Sequence, residues 1–147
     1  MLRMLYYVNK LMQKFTDVSV LHQSTELMEL NNEWTYGPDL PTLRTYHCIT
    51  PMTQDPDETR FVLIGGQISG ANQPTTFLFD WSWNNDSWVQ LGSLPTAVFW
   101  HACGATKLSD GRNIVLTTLG MNAPDVQFLD EGTTQWYAGP AIPFGRQ

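Results

Sequence analysis

Three phrases headed by tryptophan decide how this chain is read: WTYGPDLP at 34–41, WVQLGSLP at 88–95 and WYAGPAIP at 136–143. Each places a proline seven residues after its tryptophan (Pro41, Pro95 and Pro143), directly behind Leu40, Leu94 or Ile142. A glycine follows each tryptophan by three or four residues, at Gly37, Gly92 and Gly139. The register continues outward, for His47 and His101 each lie thirteen residues beyond Trp34 and Trp88. Gly66 and Gly120 lie nineteen beyond those histidines, so four landmarks recur with one offset of 54. The next interval, Trp88 to Trp136, is 48, and the six missing residues fall in polar segments read as loops. Loops vary where strands keep their landmarks, which is how a structural repeat behaves.

Within one period the residues read as strands. Arg60–Ile64 is a short apolar run ending at Gly65–Gly66, and Thr75–Phe79 is rich in β-formers between two Asn-containing turns. Ser87–Leu91 alternates polar and apolar residues, and Trp100–Thr106 makes a fourth strand. Composition agrees: 147 residues, 42% hydrophobic and 12% aromatic, with 11 Gly, 9 Pro and only 15% charged. That mixture suits short strands and tight turns, not a helical bundle or a disordered chain. A net charge of −6 with no Lys/Arg cluster argues against nucleic acid and against an anionic membrane as partners.

Four strands per period of about 50 residues is the pattern of a propeller blade. Here the chain resembles the kelch family over residues 24–147. The resemblance rests on Gly65–Gly66 after an apolar strand, the pair Phe79–Asp80, Trp88, the Leu94–Pro95 that follows, and His101–Ala102–Cys103. It departs from the pattern where Leu119 replaces the first glycine of the pair and where Val98 stands in place of Arg44 and Arg146. The resemblance implies an all-β fold of four-stranded antiparallel blades in an incomplete ring. Residues 1–16 are then a tail or blade remnant (or a short amphipathic helix), and 17–147 a partial propeller with junctions near 34–44, 88–98 and 136–146.

A recurring landmark is first a structural one. Trp34, Trp88 and Trp136 are expected to pack between blades. Gly65, Gly66 and Gly120 are expected to supply positive φ or close backbone approach, with His47 and His101 as part of the same framework. The pairs His47–Cys48 and His101/Cys103 lack the spacing of a structural zinc site. Cys48 and Cys103 are 55 residues apart, one step out of register. They should therefore point to opposite strand faces, a reading that favours two buried free thiols over a mutual disulfide. Asp55, Asp57 and Glu58 read as a solvated turn.

No catalytic constellation is evident, so no cofactor, metal or enzymatic step is expected. Copper oxidases of the galactose-oxidase type share this repeat and are the enzymatic alternative. They need Tyr and His ligands, whereas Tyr46–His47 is already accounted for by the repeat. A truncated propeller without function of its own is the other alternative. The resemblance otherwise implies a scaffold that binds another protein or peptide through blade loops. Arg44 and Arg146 would either hold acidic groups of a partner or form ion pairs within the blade stack, and Trp81, Trp83, Gln67 and Asn72 would supply loop contacts. Open blade edges also invite self-association. The N-terminus has no signal-peptide pattern and no apolar run spans a membrane, so a cytoplasmic location is expected, in which the Asn85 sequon would stay unused.

Overall fold

The structure, a computed structural model, describes residues 6–7, 26–28, 34–36, 38–55, 57–82, 87–121 and 125–141. Every regular element among them is a β-strand. Strands β1 (Tyr6–Tyr7), β2 (Glu26–Met28) and β3 (Trp34–Tyr36) form an antiparallel sheet in that order. A four-stranded sheet follows, built from β4 (Cys48–Pro51), β5 (Arg60–Ile64), β8 (Thr75–Asp80) and β9 (Val89–Ser93). Between β5 and β8 a short hairpin, β6 (Gln67–Ile68) and β7 (Ala71–Asn72), stands apart from it. The second four-stranded sheet comprises β10 (Ala102–Lys107), β11 (Asn113–Thr118), β12 (Asp125–Asp130) and β13 (Trp136–Ala141). Both four-stranded sheets are antiparallel and follow chain order, strand beside next strand. Tyr6–Tyr7 pair as a strand with Leu27 and Met28 and not as part of a helix; the rest of 1–16 lies outside the described residues.

This topology sorts the connections onto two ends. Residues 52–55, 57–59, 81–82, 87–88, 108–112 and 131–135, in the turns, lie at one end, called lower here. The connections 38–47, 65–74, 94–101 and the segment from 119 lie at the other, upper end.

The core lies between the two four-stranded sheets. Met52, Val62, Ile64, Leu94 and Val98 meet Val115, Leu129 and Trp136 in one buried cluster. Alternation along β5 sends Leu63 to the opposite face, where it packs with Leu40 and Phe77. Hence Phe61–Ile64 are all buried, as in a strand covered on both sides. In β11 only Val115 and Thr117 are buried, while Ile114, Leu116 and Thr118 are half-buried. One face of that sheet is covered and the other is not, among the described residues.

Polar groups join the sheets at their margins. Trp136 Nε1 donates to Thr76 Oγ1 (3.0 Å), and the Gly92 amide donates to the Thr134 carbonyl (3.0 Å). A β-carbon at Gly92 would collide with that carbonyl, which is why the outer strand carries glycine there. The glycine–histidine spacing of nineteen is likewise a contact. His47 packs over Gly66 (φ +93°) and His101 over Gly120 and Gly65 (φ +56°). Gly65 and Gly66 have the expected positive φ; in the second sheet it is Leu119 (φ 63°), not Gly120, that adopts it.

The cysteines are not free. Cys48 on β4 and Cys103 on β10 form a disulfide, with their Cα atoms 6.1 Å apart. They do sit one step out of register, but the inference drawn from that step reverses between stacked sheets. A side chain on the rear face of one sheet meets one on the front face of the next. Opposite faces are what bring the two sulfurs together. Disulfides belong to oxidising compartments, so the bond does not fit the cytoplasmic expectation. Among the described residues no helix is long and apolar enough to cross a membrane.

Burial lowers the pKa of both His47 and His101 to about 4, in His47 with help from Arg44 and His101. The unfolded chain binds these protons near the ordinary value of about 6.5, so their stabilising contribution is complete above that pH. It is lost as pH falls from about 6.5 to about 4, because only the unfolded state gains the two charges. Urea midpoints measured across this window should fall steadily, and should fall less in His101→Gln; a flat profile would contradict the burial of neutral imidazoles.

Candidate functional site

The residues expected to contact a partner are mostly spent on the fold. Arg44 is 5% exposed. Its guanidinium donates to the Gly65 carbonyl (2.8 Å) and Thr42 Oγ1 (2.7 Å), and lies 5.1 Å above the Phe77 ring. Burial lowers its pKa to about 10. It is thus neither a surface anchor nor an ion-pair member: carbonyl and hydroxyl oxygens hold it. The second sheet solves the same problem differently. Val98 stands in place of Arg44, and Gln127 in place of Phe77 reaches back to the connection. Its amide accepts from the Thr96 N–H (2.8 Å) and donates to the Thr96 carbonyl (3.0 Å). The departure at Val98 is therefore compensated from β12.

Gln67 and Asn72 bond to each other across the β6–β7 hairpin (2.9 Å), and both are half-buried. Trp81 is half-buried with its ring edge-on to Phe79 at 5.8 Å. Trp83, Asn85 and Arg146 lie outside the described residues. Trp34 is described only as part of β3. Trp136 is buried between the sheets, whereas Trp88 is half-buried, with Nε1 3.5 Å from the Pro38 carbonyl.

At the lower end a cleft of about 520 Å³ opens between the 53–58 turn, Lys107, Asn113 and Glu131. Its central cation, Arg60, bridges Glu58 on its own sheet and Glu131 on the next. Although burial pushes Glu58 upward, hydrogen bonds from Arg60 hold its carboxyl below the usual range. Asp55 caps the turn by accepting from the Asp57 amide (2.9 Å). Asp55 and Asp57 are exposed, as in a solvated turn, whereas Glu58 is half-buried in an ion pair with Arg60, which itself reaches Glu131 on the next sheet. Among the described residues no group of three or more His, Cys, Asp or Glu is placed to hold a metal ion.

The upper end differs in kind. Tyr46 (43% exposed), Trp100 (52%), Leu119 and Met121 present large apolar side chains to solvent there. Trp100 stands edge-on to Tyr46 with centroids 5.0 Å apart, and Phe99 packs on Trp100 at 5.8 Å. The Trp100 amide donates to the Tyr46 carbonyl (3.2 Å), which fixes the two segments side by side. Tyr46, Trp100 and Leu119 all have positive φ (56°, 50° and 63°), a region that disfavours side-chain-bearing residues. This explains why Trp100 precedes β10 instead of starting it.

Comparison of the two sheets shows that the fold does not require the side chains of Phe99, Leu119 and Met121. The bridge Thr45↔Gln67 of the first sheet has Phe99↔Met121 as its counterpart in the second. Gly65, at φ +56°, corresponds to Leu119 at φ 63°. Backbone pairing and conformation are shared, yet Thr, Gln and Gly in one sheet become Phe, Met and Leu in the other. The segments 65–74, 94–101 and 119–121 contain no Asp, Glu, Lys or Arg, while 38–47, which carries Tyr46, contains Asp39 and the buried Arg44; the platform side chains themselves are uncharged in a chain of net charge −6. Most of the charged groups of the two sheets lie at the lower end: Asp55, Asp57, Glu58, Arg60, Asp80, Lys107, Asp110, Arg112, Asp130 and Glu131. Asp39 and Asp125 are the upper-end carboxylates among the described residues.

Leu119 offers a direct test of the strain. Leu119→Gly removes a left-handed penalty of about 1–2 kcal/mol against a glycine entropy cost of about 0.5–1 kcal/mol. The urea midpoint should rise slightly; a clear fall would show that Leu119 is a packing residue after all.

No protein-family model matches the chain, and no curated protein matches it.

Proposed function

We propose that the chain is part of a kelch-type β-propeller and works as a non-catalytic protein-binding scaffold. Its landmark spacing and two equivalent four-stranded sheets support the propeller reading. The observation that carries the binding reading is the upper-end substitution of Phe99, Leu119 and Met121 for Thr45, Gly65 and Gln67. Exposed apolar surface that architecture does not demand marks an interaction site, and outlying backbone at such a place points the same way. The recognition expected of Arg44 is replaced by an aromatic contact, since that arginine is inside.

A photo-crosslinking amino acid at position 46, with one at lower-end position 112 as control, tests this. A discrete protein adduct should form from 46 only, and excess unlabelled chain should compete it away. The competitor carrying Trp100→Asn should fail to compete, because asparagine keeps the left-handed backbone and loses the ring. Equal labelling at both positions, or an adduct indifferent to Trp100, would refute the reading.

A further inference from the structure

We infer that the upper-end platform formed by Tyr46, Phe99, Trp100, Leu119 and Met121 takes a short, uncharged, apolar peptide segment of a partner protein. This rests on the binding reading above and adds the chemistry of what is bound. Charge comes first. The five platform side chains are all uncharged; of the connections that carry them, 94–101 and 119–121 have no ionised side chain, and 38–47 has Asp39 and Arg44, of which Arg44 is buried under other contacts. An acidic segment would find no cation there and would approach a chain of net charge −6. A basic segment would be drawn by that charge but would have to desolvate its cation with no carboxylate on the platform to receive it, which is costly.

Area decides between a segment and a second copy. Each large aromatic buries roughly 150–250 Å² when fully covered. With Tyr46, Trp100 and Met121 about half exposed and Leu119 somewhat less so, the platform offers on the order of 400 Å². A stable interface between two folded surfaces takes about 800 Å² from each partner. The platform is half of that and so too small to hold a second folded copy. It is large enough to anchor two or three apolar side chains of a segment lying across it. The ring geometry agrees. Trp100 edge-on to Tyr46 at 76° leaves an angled corner, a seat for a side chain rather than the flat face that a stacked planar ligand needs.

The test uses two random peptide libraries displayed on phage and selected on immobilised 1–147. One library is restricted to uncharged residues, and the other is enriched in Asp, Glu, Lys and Arg. Enrichment is expected from the uncharged library. A synthetic peptide from it should bind with less than a twofold change between about 0.05 M and about 0.5 M salt, since no charge is there to screen. Trp100→Asn should weaken it roughly thirtyfold or more, as loss of an interface tryptophan does. Circular dichroism and urea unfolding confirm that the variant folds. Tyr46→Asn provides a second, independent variant. Enrichment of charged, salt-sensitive peptides would overturn the inference and leave the binding reading standing. Binding that both variants retain would also overturn it, by placing the site elsewhere. Failure of both libraries would count against the binding reading itself. A dimer in solution that Trp100→Asn abolishes would overturn the inference by giving the platform to a second copy.

Discussion

Replacing Cys48 with serine is expected to lower the unfolding free energy by about 4 kcal/mol. The bond joins residues 55 apart on the first strands of the two four-stranded sheets. Without it, the unfolded chain recovers the freedom of a loop that holds the whole first sheet. Applied to that loop, the chain-entropy relation gives about 4 kcal/mol at 25 °C. Domains of this size have about 5–15 kcal/mol in all, so the loss would consume much of it. Urea titrations of the wild type with and without reductant, and of Cys48→Ser and Cys103→Ser, measure it. All three perturbed samples should unfold at similar, much lower urea concentrations. Alkylation of the unreduced denatured chain should modify neither cysteine, and reduction should expose both. An unreduced chain that takes up two alkyl groups would show that the thiols are free and the predicted loss groundless.

Trp136→Ala is expected to cost about 3–5 kcal/mol, the range for a buried aromatic deleted from a core. Trp136 is 4% exposed and belongs to the cluster that both four-stranded sheets share. Its Nε1 also satisfies a buried hydroxyl on the neighbouring sheet, at Thr76. Trp136→Phe should therefore cost clearly less, keeping most of the apolar contact and giving up a hydrogen bond of about 1 kcal/mol. Trp88→Ala should also cost less than Trp136→Ala, because Trp88 is half-buried and its 3.5 Å contact with Pro38 is at the limit of a hydrogen bond. Urea unfolding followed by far-UV circular dichroism, rather than tryptophan fluorescence, reads all three. Equal costs at positions 88 and 136 would mean that the interface between the sheets contributes nothing beyond the burial of any tryptophan.

The two tryptophans mark the boundary of what the sequence discloses. As landmarks they are interchangeable, each heading the same phrase. As packing residues they are not, because Trp136 has a sheet on the side it faces and Trp88 meets a connection segment around Leu40. Arg44 and Gln127 show the same limit. Nothing local distinguishes an arginine aimed at solvent from one laid over Phe77. The compensation between Val98 and Gln127 couples positions 29 apart whose pairing only the packed strands reveal. The exposed aromatics are legible as a pair, since Tyr46 and Trp100 occupy equivalent repeat positions. Only the sign of φ and the exposure at those positions set them apart from core residues.

By itself the sequence determined the short strands and the glycines that allow positive φ or close backbone approach at their ends. These properties follow from spacing along the chain, since Cβ direction alternates residue by residue and a missing side chain is visible in the text. Only the tertiary structure decided the disulfide, the interior place of Arg44 and the uncharged platform at the upper end. Each of those depends on which face of one sheet meets which face of the next, a relation between residues roughly one repeat apart that alternation along a single strand leaves open.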